Sequence, residues 1–186
     1  MLKRELIKNG IIISIILLIA IVSTYHIYYK FQNDHKVDYN SESLDVIFRD
    51  TAGDKIKILK VTPVTDSVGL SSNTYNIDIH NNLTIKVPYQ IKIKTDEEMI
   101  EEDGCEEYLI PEEDIRISVK VGRGDNEIYN LNDLKDGILL SPTVDALADD
   151  LISIRVWVNK DSSLVAGSKM HYHGIIQVIE EDNPIE

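Results

Sequence analysis

A run of twenty residues without Asp, Glu, Lys or Arg, residues 10–29, constrains the fold of this chain more than any other feature. Twenty helical residues at a rise of about 1.5 Å each span about 30 Å, which is the thickness of the hydrocarbon core of a bilayer. The run lacks the polar stripe that a helix packed on a soluble core shows on its outer side. The sequence therefore predicts one transmembrane helix over residues 10–29.

The residues that flank this run predict its orientation. Three basic residues precede it: Lys3, Arg4 and Lys8. Three tyrosines lie at its other end: Tyr25, Tyr28 and Tyr29. Basic residues stay on the cytoplasmic side of an inserted helix, and tyrosines collect at the membrane–water interface. We therefore expect residues 1–9 in the cytoplasm, the protein in the cell membrane as a single-pass signal-anchor, and the chain after residue 29 outside the cell.

A cleaved signal peptide is the alternative interpretation of the same run. Such peptides have shorter apolar regions and small residues before the cleavage site. Cleavage after Ala20 or Ser23 would leave bulky Leu18 or Ile21 two residues before the last residue of the peptide. The sequence favours a retained anchor.

The rest of the chain is acidic. The net charge of the protein is −13, and because the first nine residues sum to +2 and the apolar run is uncharged, residues 30–186 carry −15. Binding to nucleic acid depends on neutralising phosphates, which a surface of this charge cannot do. We predict no nucleic-acid partner, whereas the lipid bilayer is a predicted partner through residues 10–29.

Alternation of apolar and polar residues begins after a polar stretch, residues 30–43, which we interpret as a stalk. In the clearest case, over residues 83–94, six apolar residues alternate with six others, which is typical of a strand with one buried face. Similar alternation occurs over 44–49, 55–61, 75–80, 115–121, 152–158 and 170–178. The pattern predicts a mainly β chain, with an antiparallel β-sandwich of about seven strands over residues 44–181 and an acidic tail over residues 182–186.

Two local patterns give finer expectations. Asn81-Asn82 is favourable turn chemistry between two alternating runs, so we expect a hairpin of residues 75–80 with residues 83–94. Residues 143–151 are expected to form one short helix.

His171 and His173 are the candidate metal ligands. Residues two apart on a strand share a face, so both imidazoles could reach one ion. A third ligand, such as His80, would have to come from another strand. The alternative is that both are ordinary exposed or hydrogen-bonded histidines.

Two loops carry weaker signals. An EF-hand alignment within the acidic residues 96–114 fails at its first and last ligand positions, Met99 and Ile110, so a solvated acidic loop is the simpler interpretation. Arg123, Gly124 and Asp125 form an integrin-type adhesion tripeptide on a predicted turn, and they are the candidate binding residues. A turn selects Gly and Asp in any case.

Four stretches of the sequence together resemble a known group of proteins: Lys60–Gly69, Thr74–Asn81, Ile154–Asn159 and Gly167–Val178. They are similar to single-pass surface proteins of Gram-positive bacteria that look like relatives of the TasA and camelysin biofilm-fibre proteins. The resemblance covers roughly residues 44–180 and implies an extracellular β-sandwich that assembles by strand exchange or edge addition. The camelysin branch is associated with zinc-dependent peptidase activity, but this chain shows no motif to which such residues could be transferred.

The motifs of common enzyme classes are missing from the sequence. It contains no HExxH, no GxSxG, no phosphate-binding loop and no GxGxxG. We therefore expect no enzyme and no cofactor, but a structural or binding role at the cell envelope, in which a protein partner or a second copy pairs along a strand edge. The alternatives are a metal-dependent surface enzyme that uses His171 and His173, and an accessory subunit of a membrane complex.

Overall fold

The computed structural model describes residue 22 and residues 43–50, 52–103 and 108–181. The chain divides into two units, Met1–Lys36 and Val37–Glu186, and the architecture that follows belongs to the second. The predicted cytoplasmic segment 1–9, transmembrane helix 10–29, stalk and tail 182–186 lie outside the described residues, apart from Val22 and Ser43. Within the described ranges, no helix is both long and apolar enough to cross a membrane.

Ten strands and two short helices form the described part of the chain. The strands are β1 (Leu44–Phe48), β2 (Lys55–Ile58), β3 (Tyr75–Asn81), β4 (Val87–Thr95), β5 (Ile115–Val121), β6 (Glu127–Asn130), β7 (Ile138–Leu140), β8 (Thr143–Val144), β9 (Asp149–Val158) and β10 (Tyr172–Glu180). The helices are α1 (Asp66–Gly69) and α2 (Glu97–Asp103), and three 3-10 turns cover Glu112–Asp114, Leu131–Asp133 and Lys135–Gly137.

The strands form two antiparallel sheets. The first has the order β1-β3-β9-β5-β6, and the second has the order β2-β10-β4-β7, with β8 also paired to β4. The predicted mainly β, antiparallel architecture is confirmed. The predicted number of about seven strands is too low, because short strands such as β6, β7 and β8 contain too few residues to show an alternating pattern.

Both sheets bury one face in a single apolar cluster. In β3, Ile77 and Ile79 are fully buried, and in β4 every second residue from Val87 to Ile93 is buried. Because successive side chains on a strand point to opposite faces, alternation in the sequence places one row of each strand in this cluster. Burial of each such isoleucine contributes about 1.5–3 kcal/mol relative to exposure in water.

The predicted hairpin of residues 75–80 with 83–94 is wrong. β3 pairs with β1 and β9, whereas β4 pairs with β10, β7 and β8, so the two strands lie in different sheets. The cause is Asn81, which is fully buried and donates from its side chain to the carbonyls of Ile85 at 2.7 Å and Asp145 at 3.0 Å. Its Oδ1 accepts from the N–H of Leu83 at 2.9 Å. These bonds stabilise a connection that crosses between the sheets.

The predicted helix over residues 143–151 is also wrong. Thr143 and Val144 form β8, and β9 begins at Asp149. The residues between them form a turn in which Leu147 has a φ of 51°. Thr and Val are β-branched and favour strands, and Asp149 and Asp150 extend β9 before its alternating part, so the apolar spacing here belongs to two strands and a turn.

Trp157 lies on the face of β9 that points away from the shared cluster, and α1 packs against it. Trp157 is buried, and Gly69 of α1 lies directly against its ring. A Cβ atom at position 69 would lie 2.3 Å from the nearest ring atom. Position 69 therefore requires glycine, because any side chain would displace the helix or the ring.

Gly69→Ala tests this packing. We expect the free energy of unfolding to fall by about 1–3 kcal/mol, because the added methyl group overpacks the contact. Trp157 is the single tryptophan of the chain, so its fluorescence follows denaturant unfolding and reports its own contact. Val68→Ala, at an exposed position of the same helix, is the matched control and should change stability by less than about 0.5 kcal/mol. Equal stability of the two variants would contradict the packing.

Candidate functional site

The two ends of the sheets carry different features. We call the end at which the described body begins the Ser43 end, and the other the Phe48 end. The register pairs Leu44 with Asn81, and His80 with Asp149, so these residues lie at the Ser43 end. The connections over residues 82–86, 122–126 and 145–148 lie there too. The connections over residues 59–74, 96–103, 108–114 and 159–171 lie at the Phe48 end.

The structure places His171 and His173 side by side at the Phe48 end. Their ring centroids are 5.5 Å apart and their planes meet at 73°. His80 is not brought to them, because it lies in the first sheet at the Ser43 end, where its Nδ1 is 2.7 Å from Oδ1 of Asp149. Among the residues that the structure describes, no group of three or more His, Cys, Asp or Glu side chains is arranged to hold a metal ion.

His173 is enclosed by α2. Its side chain has no exposed surface, and α2 packs against β10 on this side. The backbone N–H of Asp96, the residue before α2, donates to the carbonyl of His173 at 3.0 Å. Ile100 of the same helix is also buried. The imidazole of His173 is therefore closed to an ion from solvent in this conformation.

Asp96 and Lys55 form an ion pair next to this histidine. Lys55 Nζ lies 2.7 Å from Asp96 Oδ2, and the Asp96 side chain is 6% exposed. Oδ1 of Asp96 accepts a hydrogen bond from the N–H of Met99 at 3.3 Å, so Asp96 also caps α2. The ion pair therefore joins β2 to the start of α2, and the cap holds α2 over His173.

The pair remains charged over a wide range of pH. Burial acts to raise the pKa of Asp96, but the hydrogen bonds from Lys55 and Met99 outweigh it and leave the pKa below its usual value. The hydrogen bond to Asp96 raises the pKa of Lys55, although burial opposes this. The carboxylate consequently stabilises the folded protein above its unfolded pKa of 3.8 and loses that effect as the pH falls through its lowered folded value.

Asp96→Asn separates the charge from the cap, because asparagine is an equally good N-cap residue. At neutral pH we expect the free energy of unfolding to fall by about 1–3 kcal/mol, the range for a hydrogen bond to a charged group. The difference should begin to shrink in urea titrations below pH 3.8 and approach zero once the pH falls through the lowered pKa of Asp96 in the folded protein, where its carboxyl group becomes protonated. A difference that stayed constant at acidic pH would show that Asp96 acts through packing and not through its charge.

Sequence reasoning missed this ion pair. Asp96 stands directly before an acidic helical segment, which is a local N-cap signal. Its partner Lys55 is 41 residues away in the sequence, in a different element. No local pattern connects the two, so the pair could be found only from the packing of β2, β10 and α2.

The Arg123-Gly124-Asp125 tripeptide lies on the exposed turn between β5 and β6, at the Ser43 end. Gly122 has a φ of 53°, and the N–H of Gly124 donates to the carbonyl of Val121 at 2.9 Å, so the predicted turn is present. Gly124 and Asp125 border a shallow surface cavity of about 270 Å³, whose other lining residues include Leu140 and Pro142. All three tripeptide residues are exposed, and their adhesion role stays a prediction.

The acidic residues 96–114 do not converge on one point in the described part of the segment. Glu97, Glu98 and Glu101 lie on α2, and Glu112 begins a 3-10 turn, where it accepts a hydrogen bond from Thr95 Oγ1 at 2.8 Å. Residues 104–107 lie outside the described ranges. The interpretation as a solvated acidic loop stays a prediction for the whole segment.

β1 presents an open edge of the first sheet. The carbonyl of Ser43 accepts from Asn82 at 2.8 Å, and the N–H of Arg49 donates to Asn76 at 2.9 Å. In an antiparallel ladder the residues that bond to one neighbour alternate with residues whose N–H and C=O point the other way. The backbones of Val46 and Phe48 therefore point away from β3, and no described residue bonds to them on that side.

The edge at β2 is closed by comparison. The N–H groups of Lys55 and Lys57 point away from β10, but both have acceptors. The N–H of Lys55 donates to the carbonyl of Ala52 at 3.1 Å. The N–H of Lys57 donates to the Tyr75 hydroxyl oxygen at 3.4 Å. β6 and β7, the other edges in the described sheets, contain four and three residues. Among the described strands, the five-residue β1 is therefore the longest edge, and no described residue accepts from the outward N–H groups of Val46 and Phe48.

These features define a class: a mainly β protein of two antiparallel sheets with one long open edge strand. Comparison with known proteins finds no match to the chain among protein-family models, curated proteins or solved structures. The resemblance to the TasA and camelysin group therefore stays a prediction that depends on the sequence alone.

Proposed function

We propose that this chain is a membrane-anchored surface protein with a structural or binding role at the cell envelope. One transmembrane helix over residues 10–29 holds an extracellular β-sandwich, and the protein works by pairing with a strand of another chain and not as an enzyme. The uncharged run and the basic residues before it support the anchor. Two antiparallel sheets with one common apolar cluster support the sandwich.

The open edge of β1 is the observation that carries the binding role. Outward N–H and C=O groups on an edge strand form main-chain hydrogen bonds with an added strand, and neighbouring side chains provide specificity. β1 contains neither proline nor lysine, the residues that commonly protect an edge from pairing. The partner is an extended strand of another protein chain, either a second copy or a different surface protein.

Strand directions limit how copies in one membrane pair. Four antiparallel pairings separate β1 from β6, so these two edge strands of the first sheet run in the same direction. Two bodies in the same orientation would pair β1 with β6 in parallel. Antiparallel pairing of β1 with β1 would require two bodies that point in opposite directions.

Val46→Pro tests the edge. Proline removes an outward N–H, keeps the hydrogen bonds between β1 and β3, and should reduce the associated fraction several-fold. Val46→Ala is the matched control: it loses packing at the same buried position but keeps the N–H, so it should associate like the wild type. Sedimentation of the detergent-solubilised chain and cross-linking on cells measure the two variants. Association of Val46→Pro at the wild-type level would reject β1 as the pairing edge.

The anchor has its own test. We expect the full chain to stay in the membrane fraction after carbonate washing, and protease added to intact cells to remove a tag at the C-terminus but not one at the N-terminus. Ile16→Lys/Ile19→Lys should release the chain, because each lysine in mid-helix costs about 2.5–3.5 kcal/mol of insertion. Ile16→Leu/Ile19→Leu is the matched control and should stay inserted. A C-terminal tag protected in intact cells would refute the proposed topology.

The spacing of His171 and His173 favours a second candidate, a metal-dependent surface enzyme. A centroid separation of 5.5 Å is close enough for both imidazoles to bind one ion. Metal analysis of the purified chain and of His171→Ala/His173→Ala separates the candidates. A stoichiometric transition metal that the variant loses would support the enzyme over the binding protein.

A further inference from the structure

Two aliphatic side chains project into solvent at the Ser43 end. Ile85, in the connection from β3 to β4, is 57% exposed, and Leu147, in the turn from β8 to β9, is 61% exposed. The N–H of Leu147 donates to the carbonyl of Leu83 at 3.0 Å, which joins the two connections. The two side chains therefore belong to one surface, which we call the Ile85–Leu147 tip.

The tip is held in place by the buried Asn81. Its side-chain amide donates to the carbonyl of Ile85 in one connection and to that of Asp145 in the other. Leu147 has a φ of 51°, a left-handed conformation that favours glycine or asparagine over leucine. Both the left-handed backbone of Leu147 and the exposure of its aliphatic side chain to water are unfavourable. Such backbone strain is characteristic of positions with a function.

Three acidic groups near the tip have partners. Asp145 lies 2.6 Å from Lys86 Nζ, and Asp149 lies 2.7 Å from Nδ1 of His80. Asp150 accepts a hydrogen bond from the Tyr89 hydroxyl at 2.8 Å. A carboxylate with a partner costs less to bring toward a medium of low dielectric constant than a carboxylate that has only water. The surroundings of the tip are thus compatible with an interface to lipid.

We propose that Ile85 and Leu147 contact the lipid bilayer in which the same chain is anchored. The inference depends on the proposed anchor, because residues 30–42, thirteen residues, are all that separates the predicted helix from Ser43. A chain of that length reaches at most about 45 Å. With the proposed anchor inserted, Ser43 would lie within about that distance of the membrane, and this limit would raise the effective concentration of lipid at the tip.

Tethering is essential to the contact. Insertion of two aliphatic side chains into the interface is a weak interaction, and stable membrane attachment of a protein takes more than one such signal. The anchor provides the first attachment to the membrane, and the tip provides the second. The tip thus fixes which end of the body faces the lipid, and it leaves the length of the β1 edge accessible to another chain.

Lipid quenching of an attached fluorophore tests the contact in the full chain. Cys105→Ser first removes the native cysteine of the chain, so that the dye reacts only with an introduced cysteine. An environment-sensitive dye is then attached to Leu147→Cys in one variant and to Val165→Cys in the other. Val165 is the matched control, since it is 75% exposed and lies at the Phe48 end. In proteoliposomes with spin-labelled lipids, we expect several-fold stronger quenching at position 147 than at position 165.

Each outcome of this experiment is decisive. If the chain does not float with the vesicles, both the anchor and the tip contact are wrong. If it floats but quenching at position 147 equals that at position 165, the tip contact is wrong and the anchor stands. A blue-shifted dye at position 147 without lipid quenching would mean burial against protein, which also overturns the contact.

Leu147→Gly gives a second test that does not depend on labelling position 147. With the dye at Ile85→Cys, glycine at position 147 should reduce lipid quenching, because Leu147 is then the one remaining aliphatic side chain of the tip. The same substitution should raise the melting temperature, because glycine adopts the left-handed conformation without strain. Val165→Gly is the control and should leave the quenching unchanged. Undiminished quenching in Leu147→Gly would overturn the role of Leu147.

Discussion

Burial of one face of each sheet in a common apolar cluster is the interaction on which the rest of this structure depends. Both sheets contribute to the same cluster, and the chain crosses between them repeatedly. Strands β1, β3, β5 and β9 of the first sheet are separated along the sequence by strands of the second sheet. Asn81 shows how one crossing is stabilised: a buried amide bonds to backbone groups of two connections that leave different sheets. This topology leaves β1, the first strand of the body, at an edge.

The alternating pattern predicts strands well and their partners poorly. β5 was predicted over Ile115–Val121 and is found with those bounds, because period-2 burial is a local property. The pairing of β3 is not local, so the Asn81-Asn82 turn signal led to the wrong neighbour. The same limit applies to the site: the sequence predicted that His171 and His173 share a side, but the burial of His173 beneath α2 depends on tertiary packing.

The edges of the two sheets show how the proposed binding role is compatible with a soluble fold. Exposed edges promote uncontrolled association, and proteins protect them with lysines, short strands or covering groups. β2 has two lysines and the Tyr75 hydroxyl over its edge, whereas no described residue covers the β1 edge in this way at Val46 and Phe48. Association directed to one edge strand is what an assembly or binding module of this architecture requires.

The attachment of α2 has a consequence for the dynamics of the protein. Ile100 is buried but does not belong to the apolar cluster shared by the sheets, and the Asp96 cap and the Lys55–Asp96 ion pair hold the start of the helix. Helices attached outside the main core can open as separate cooperative units at a free energy below that of global unfolding, and we expect this behaviour of α2. Amide hydrogens of α2 would then exchange through this sub-global opening, and the imidazole of His173 would be transiently accessible to solvent while both sheets remain folded.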